Sequence, residues 1–285
     1  MAPKLDDFMQ WPEIEALEYG ECSRPQDVLG ARMADRSHVL VTAYFPEVDS
    51  VAVRVAGAKK EYKMEEADQQ GYYGVLIPGR KIPEYVFMVE KKGKRREVPD
   101  AYAMDSLIDG MDMEKFINGC HDTIYDKLGA HPMTRDGAEG TYFAVWAPNA
   151  RAVSVVGDFN QWREDAHPMI KREPAGIYEL FVPGVGKGDL YKFSIYQSTG
   201  NRVLKADPFA NYAELRPATA SVVWDLTKYS WKDEKWLARR SKWNSEKEPV
   251  LVYEVALGAF KKPKLAGREE RDCFYTYKEM APLLC

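Results

Sequence analysis

The chain repeats itself once, and no other feature limits its possible folds so tightly. Asp27-Val28-Leu29-Gly30-Ala31 returns as Asp126-Lys127-Leu128-Gly129-Ala130, 99 positions later. Pro46 with Ser50-Val51-Ala52-Val53 returns as Pro148 with Ala152-Val153-Ser154-Val155, at an offset of 102. The run from Gly71 to Gly79 returns from Gly176 to Gly184 at 105, and Tyr85-Val86-Phe87 returns as Tyr191-Lys192-Phe193 at 106. Last, Asp100-Ala101-Tyr102-Ala103 matches Asp207-Pro208-Phe209-Ala210 at 107. The order is kept and the offset only grows, as it does for two copies of one structural unit with small insertions in the second.

Each copy reads as strands. Val51/Val53/Val55, Tyr73/Val75/Ile77 and Tyr85/Phe87/Val89 alternate with residues of the other face at a period of two. The second copy keeps the phase in Val153/Val155, Tyr178/Leu180/Val182 and Tyr191/Phe193/Ile195. Short antiparallel strands in a unit of about 100 residues predict an immunoglobulin-like β-sandwich. Helical periodicity is confined to Leu5 to Tyr19, Asp112 to Asn118 and Lys232 to Trp243. The predicted division is 1–115 for the first sandwich with its leading helical segment, 116–226 for the second, and 227–285 for a linker helix and the segment after it.

The two copies differ where a function can be gained. Between the Val-rich strand and the next matched strand the second copy holds three extra residues, in an interval containing Gly157-Asp158-Phe159-Asn160-Gln161-Trp162. The first copy has only Ala56-Gly57-Ala58-Lys59-Lys60-Glu61 there. On the outward face of the Tyr-x-Phe strand, Val86 in the first copy is replaced by Lys192 in the second. A Trp beside a tight turn can pack its indole on the apolar face of a pyranose ring while neighbouring polar groups meet hydroxyls, so Trp162, Lys192 and Asn160 are the candidate site. Trp162 as a residue closing the core is the plainer alternative.

Composition narrows the function classes. The 285 residues carry 40 Lys+Arg against 44 Asp+Glu, a net charge of −4, which leaves no basic field for nucleic acid or an anionic membrane. No run approaches the 18 apolar residues of a membrane span, and the first residues lack the apolar core of a signal peptide, so a cytoplasmic protein is expected. Cys22, Cys120, Cys273 and Cys285 have no CxxC spacing, and the four His have no metal-ligand spacing; no metal and no cofactor are expected. Lys91-Lys92-Gly93-Lys94-Arg95-Arg96 is read as a charged hairpin tip. Trp231, Trp236 and Trp243 lie along a linker helix, and residues 226–285 are expected to be poorly soluble.

Leu128-Gly129-Ala130-His131-Pro132, Phe143-Ala144-Val145-Trp146-Ala147-Pro148-Asn149-Ala150, Val155 to Trp162, Leu190-Tyr191-Lys192-Phe193 and Lys205 to Ala210 together resemble the glycogen branching enzymes. Glu214 to Trp224 and Val252-Tyr253-Glu254-Val255-Ala256-Leu257-Gly258 continue the resemblance, and residues 20–105 resemble the additional N-terminal module of some members. The resemblance implies glycogen-binding-type sandwiches ahead of a catalytic (β/α)8 barrel. Tyr253-Glu254-Val255 would be its first strand and Tyr277 to Leu284 the helix after it, and the barrel start would be incomplete because only 35 residues come after Val250.

The family reaction implied is a retaining transglycosylation that cleaves an α-1,4-glucan and transfers it to a 6-hydroxyl, making an α-1,6 branch of glycogen. Its carboxylates sit after later barrel strands, so no catalytic residue is assigned here, and Asp207, Asp225 and Glu254 are not promoted to that role. The implied partner is an α-glucan such as glycogen or a maltooligosaccharide, and the chain as given is expected to be inactive in branching. The alternative is a stand-alone α-glucan-binding or regulatory module. Two departures stand out: Ala256 replaces the His usual in the first barrel strand, and the hairpin Gln197-Ser198-Thr199-Gly200-Asn201 has no second Trp.

Overall fold

The computed structural model describes residues 4–58, 60–243, 246–247, 249–264, 267, 269 and 273–284. The chain divides into two compact units, 1–228 and 229–285. The first unit is almost wholly β. Its first half contains β1 (Gly30–Met33), β2 (His38–Tyr44), β3 (Ser50–Val55), β4 (Glu61–Lys63), β5 (Glu65–Glu66), β6 (Tyr72–Pro78), β7 (Tyr85–Lys91) and β8 (Lys94–Val98). Its second half contains β9 (Gly129–Arg135), β10 (Ala138–Trp146), β11 (Ala150–Gly157), β12 (Ile170–Arg172), β13 (Ile177–Pro183), β14 (Leu190–Gln197), β15 (Arg202–Lys205), β16 (Tyr212–Ala213) and β17 (Ser221–Val222).

The repeat in the sequence is a repeat in topology. One sheet of the first half runs β1-β2-β6-β5, and its counterpart in the second half runs β9-β10-β13-β12. The facing sheets are β4-β3-β7-β8 and β11-β14-β17-β16, with β15 also on β14, and every pairing is antiparallel. The alternating residues fill the space between the sheets: Val51, Val53, Tyr73, Ile77, Phe87 and Val89 in one core, Val153, Val155, Tyr178, Leu180, Val182, Tyr191 and Phe193 in the other. Single backbone bonds recur at the sequence offsets: Phe45 N–H donates to Gly71 O at 2.8 Å and Ala147 N–H to Gly176 O at 3.0 Å. Gly71 (φ 106°) and Gly176 (φ 70°) lie in the left-handed region, and a Cβ there would meet the Cα of Pro46 or Pro148 at 2.6 or 2.7 Å. That close approach is why a glycine stands at both points.

The helices fall on the periodic stretches. A 3₁₀ turn at Leu5–Phe8 leads to α1 (Trp11–Glu18), which has Pro12 in its first turn and buries Ile14 and Leu17 one turn apart. Helix α2 (Gly110–Ile117) is capped by Asp109, which accepts from Asp112 N–H at 2.8 Å while the Asp112 carboxylate accepts from Asp109 N–H at 3.2 Å. The segment before α2 is pinned to the second sandwich by Glu179, a buried carboxylate that accepts from Tyr142 Oη, Ser106 Oγ and Arg172 Nε. Lys91 to Arg96 is a hairpin tip as its composition suggests, with Lys92 (φ 52°) and Gly93 (φ 70°) turning between β7 and β8.

Described by itself, the second unit holds α3 (Glu234–Arg240), α4 (Leu257–Phe260) and α5 (Tyr277–Leu284). Helix α5 stands where the resemblance places one. The strand expected at Tyr253–Val255 does not form: residues 251–256 lie outside any sheet. A parallel barrel strand exists only through the neighbours it pairs with, and none of the described residues after 228 is in a strand. Cys285 lies outside the described residues, and Cys22, Cys120 and Cys273 are free thiols. Among the described residues no helix is long and apolar enough to cross a membrane.

Candidate functional site

The insertion of the second copy can be located bond by bond. Met64 N–H donates to Val51 O, and its counterpart Met169 N–H donates to Val153 O, so the offset passes from 102 to 105 within residues 154–168. The extra chain folds as a 3₁₀ turn, Asp158–Asn160, then Gln161 (φ 57°) and Trp162 (φ 60°). Two successive left-handed residues, neither a glycine, cost roughly 1 to 2 kcal/mol each and persist only where their surroundings hold them.

Asn160 supplies the hold. Its Oδ1 accepts from Gly157 N–H at 2.9 Å, and its Nδ2 donates to Val155 O at 3.0 Å and to His167 Nδ1 at 2.9 Å. The side chain is buried with its amide engaged, so it shapes the turn from beneath. Packing around the His167 ring, aided by Arg96 nearby, pushes its pKa down to about 4, so the ring is neutral and accepts from Asn160. At the mouth of the turn, Gly157 lets two strands close: a Cβ there would sit 2.1 Å from Leu190 O.

Trp162 is half-buried. Its backbone N–H donates to Gly157 O at 2.9 Å and its indole Nε1–H to Asp158 Oδ1 at 2.8 Å, which fixes the residue through both its main chain and its side chain. Gly157 pairs in register with Tyr191, the neighbour of Lys192, so Trp162 and Lys192 stand at the same end of one sheet. Lys192 lies opposite Val156, on the face away from the Val155 and Phe193 core, and its Nζ donates to Thr219 Oγ1 at 2.7 Å. Thr219 belongs to the loop between β16 and β17, which Glu214 closes by accepting from Ala220 N–H at 2.8 Å. Leu215, 89% exposed, tips the same loop. Neither Thr219 nor Leu215 stood out in the sequence; a solitary Leu in a Pro-Ala-Thr-rich turn was the available signal.

In the first copy Val86 takes the place of Lys192, opposite Arg54, whose guanidinium turns to Glu97. The second copy therefore holds an indole face, an ammonium, a hydroxyl and an exposed aliphatic side chain around one sheet end. This set suits a neutral ligand with both apolar faces and hydroxyls. Two of the three carboxylates set aside in the sequence are structural: Asp207 accepts from Tyr191 Oη at 2.6 Å, and Asp225 caps its own turn through Thr227 N–H at 2.8 Å, while Glu254 is exposed.

Residues 10–102 match the family model described as the N-terminal domain of alpha-1,4-glucan branching enzyme GlgB. Residues 127–210 match that of carbohydrate-binding module 48, the isoamylase N-terminal domain. The chain is 39% identical to the 1,4-alpha-glucan branching enzyme GlgB of Thermosynechococcus vestitus over 87% of its own length and 33% of the relative. It is 40% identical to that of Gloeobacter violaceus over 98% of its length and 38% of the relative, and 36% identical to that of Rhizobium meliloti over 99% and 38%. It thus spans about a third of the curated relatives it matches. A solved pullulanase from Anoxybacillus sp. LM18-11 covers 71% of the chain, and the chain 28% of it, at 21% identity and a TM-score of 0.31, too distant to inform the fold. The chain corresponds to the N-terminal part of the GlgB branching-enzyme family, a GlgB N-terminal domain followed by a carbohydrate-binding module 48.

Proposed function

We propose that the second sandwich binds α-glucan on the Trp162 and Lys192 end of its outer sheet, and that the chain serves as the glucan-binding and scaffold part of a 1,4-alpha-glucan branching enzyme. One observation carries the site: the turn that holds Trp162, kept in a strained conformation by a buried Asn160, occurs in one copy of the repeat and has no counterpart among the described residues of the other. The indole packs on the apolar face of a glucosyl ring, and Lys192 and Thr219 donate to its hydroxyls. Residues 227–285 are assigned on the same reading to the beginning of a catalytic barrel. The branching reaction, cleavage of an α-1,4 bond and transfer to a 6-hydroxyl in glycogen synthesis, requires a pair of carboxylates on a closed barrel. The 285-residue chain should therefore bind glycogen and show no branching activity.

Affinity electrophoresis of the chain in glycogen-containing gels tests the site. Retardation should be lost in Trp162→Ala and weakened in Lys192→Ala, with the folds intact by circular dichroism. Equal retardation of all three proteins would remove the assignment.

A further inference from the structure

The two sandwiches meet along a cleft of about 340 Å³ whose rim includes the Trp162 turn itself, through Phe159, Asn160, Gln161 and Arg163. We infer that this cleft is a second carbohydrate subsite, taking a segment of the same α-glucan chain whose other residues lie on Trp162; it rests on the proposed function of that face. The volume is at the small end of ligand pockets and admits about one or two pyranose rings.

Three observations point to a neutral polyhydroxyl ligand. First, the walls are aromatic: Phe45 and Phe87 come from the first sandwich and Phe159 from the second, with Phe45 and Phe87 edge to face at 5.4 Å. Second, the charged lining balances, with Lys91, Arg96 and Arg163 against Glu47, Glu97 and Asp100. Glu47 joins two of the cations, 3.2 Å from Arg163 Nη1 and 3.8 Å from Lys91 Nζ, so neither an anion nor a cation gains much there. Third, two polar side chains are placed to serve hydroxyls: the exposed Arg96 and the exposed Gln161, which the left-handed turn carries to the rim while the next residue supplies the indole.

The walls are also rigid. Tyr44 Oη donates to Asp165 Oδ2 at 2.6 Å, Arg163 grips the same carboxylate at 2.7 Å, and Tyr102 Oη donates to Pro168 O at 3.0 Å. A cleft fixed by bonds between two modules loses little entropy when a ligand enters.

The experiment records amide NMR spectra and affinities of the 285-residue chain with maltotriose and maltoheptaose. Maltoheptaose should shift amides of residues 44–48 and 96–102 as well as those around Trp162 and Lys192. Arg96→Glu should weaken maltoheptaose about fivefold and leave maltotriose unchanged, and Arg96→Ala should repeat the loss at smaller size. Shifts confined to the Trp162 face, with Arg96→Glu equal to the parent, overturn the cleft and leave the platform standing. Parent-like binding by Trp162→Ala with cleft shifts present removes the platform and keeps the cleft. No binding by the parent overturns both.

Discussion

Tyr191 Oη donates to Asp207 Oδ2 at 2.6 Å, and the same bond joins Tyr85 to Asp100 in the first sandwich. Each aspartate also accepts from the amide two residues on, Tyr102 N–H at 2.9 Å and Phe209 N–H at 2.8 Å. The pair ties the strand entering the core to the segment leaving the module. Burial pushes both carboxyls up, and the tyrosine hydroxyl works against that shift by stabilising the ionised form.

Removing the donor leaves a buried carboxylate short of a partner. Tyr191→Phe should therefore cost roughly 1 to 3 kcal/mol in urea unfolding at pH 7. The sign with pH comes from the raised carboxyl: its contribution is fully present below the unfolded pKa and is lost as pH rises through the folded one. Asp207→Asn should thus compare more favourably with the parent at pH 8 than at pH 3. A difference that does not change with pH would contradict a raised Asp207.

His167 has the opposite dependence. Its folded pKa, about 4, lies below the ordinary 6.5, so the unfolded chain takes the proton first and stability falls as pH drops through this interval. The parent should lose on the order of 2 kcal/mol between pH 7 and 5 relative to His167→Gln, measured by denaturant midpoints at each pH. Parallel midpoint curves for the two proteins would show that the ring carries no such linkage.

The module junction depends on Arg163. Burial pushes the Asp165 carboxyl up, but hydrogen bonds from Arg163 and Tyr44 together outweigh it and hold the group below its ordinary range. Arg163→Ala removes the guanidinium from Asp165 and from Glu47 at once. We expect a lower midpoint in calorimetry, corresponding to a loss of about 1 to 2 kcal/mol in stability, and a broadened transition as the sandwiches uncouple. An unchanged single transition would place the coupling elsewhere.

Gly157→Ala should be the most damaging single methyl in the site. The added Cβ lies 2.1 Å from a backbone oxygen, so β11 and β14 must part, at a cost of roughly 2 to 3 kcal/mol together with loss of glycogen retardation. Gly186→Ala, with open space around its Cβ, is the control and should stay within about 0.5 kcal/mol of the parent.

Glu18 offers a gain. Burial first, and the Asp68 carboxylate beside it second, push its pKa up to about 8. The sign is that of a raised group: Glu18 favours folding below its unfolded pKa, and that contribution is gone once pH passes the folded value. Glu18→Gln should therefore exceed the parent in stability at pH 9 by roughly 1 kcal/mol, a figure reduced for the partial exposure of the side chain. A variant less stable than the parent at that pH would show that the carboxylate is compensated in the fold.

The amino-acid sequence by itself determined the duplication, the strands and the core. Each of these comes from local spacing: alternation at period two, glycines where the backbone must turn, and an offset that marks where residues were added. It also singled out Trp162 and Lys192, because two copies of one unit expose the positions where they differ. The inward turn of Asn160 was decided only by the tertiary structure, since one amide can face solvent or cap a loop and the choice depends on His167 and Val155 lying beneath it. The pairing of Lys192 with Thr219, 27 residues away, and the cleft between the sandwiches likewise arise from contacts across the sequence that no local pattern encodes. The strand expected at Tyr253–Val255 marks the same boundary from the other side: a helix such as α5 closes its hydrogen bonds within its own segment, whereas a strand needs neighbours that pair with it.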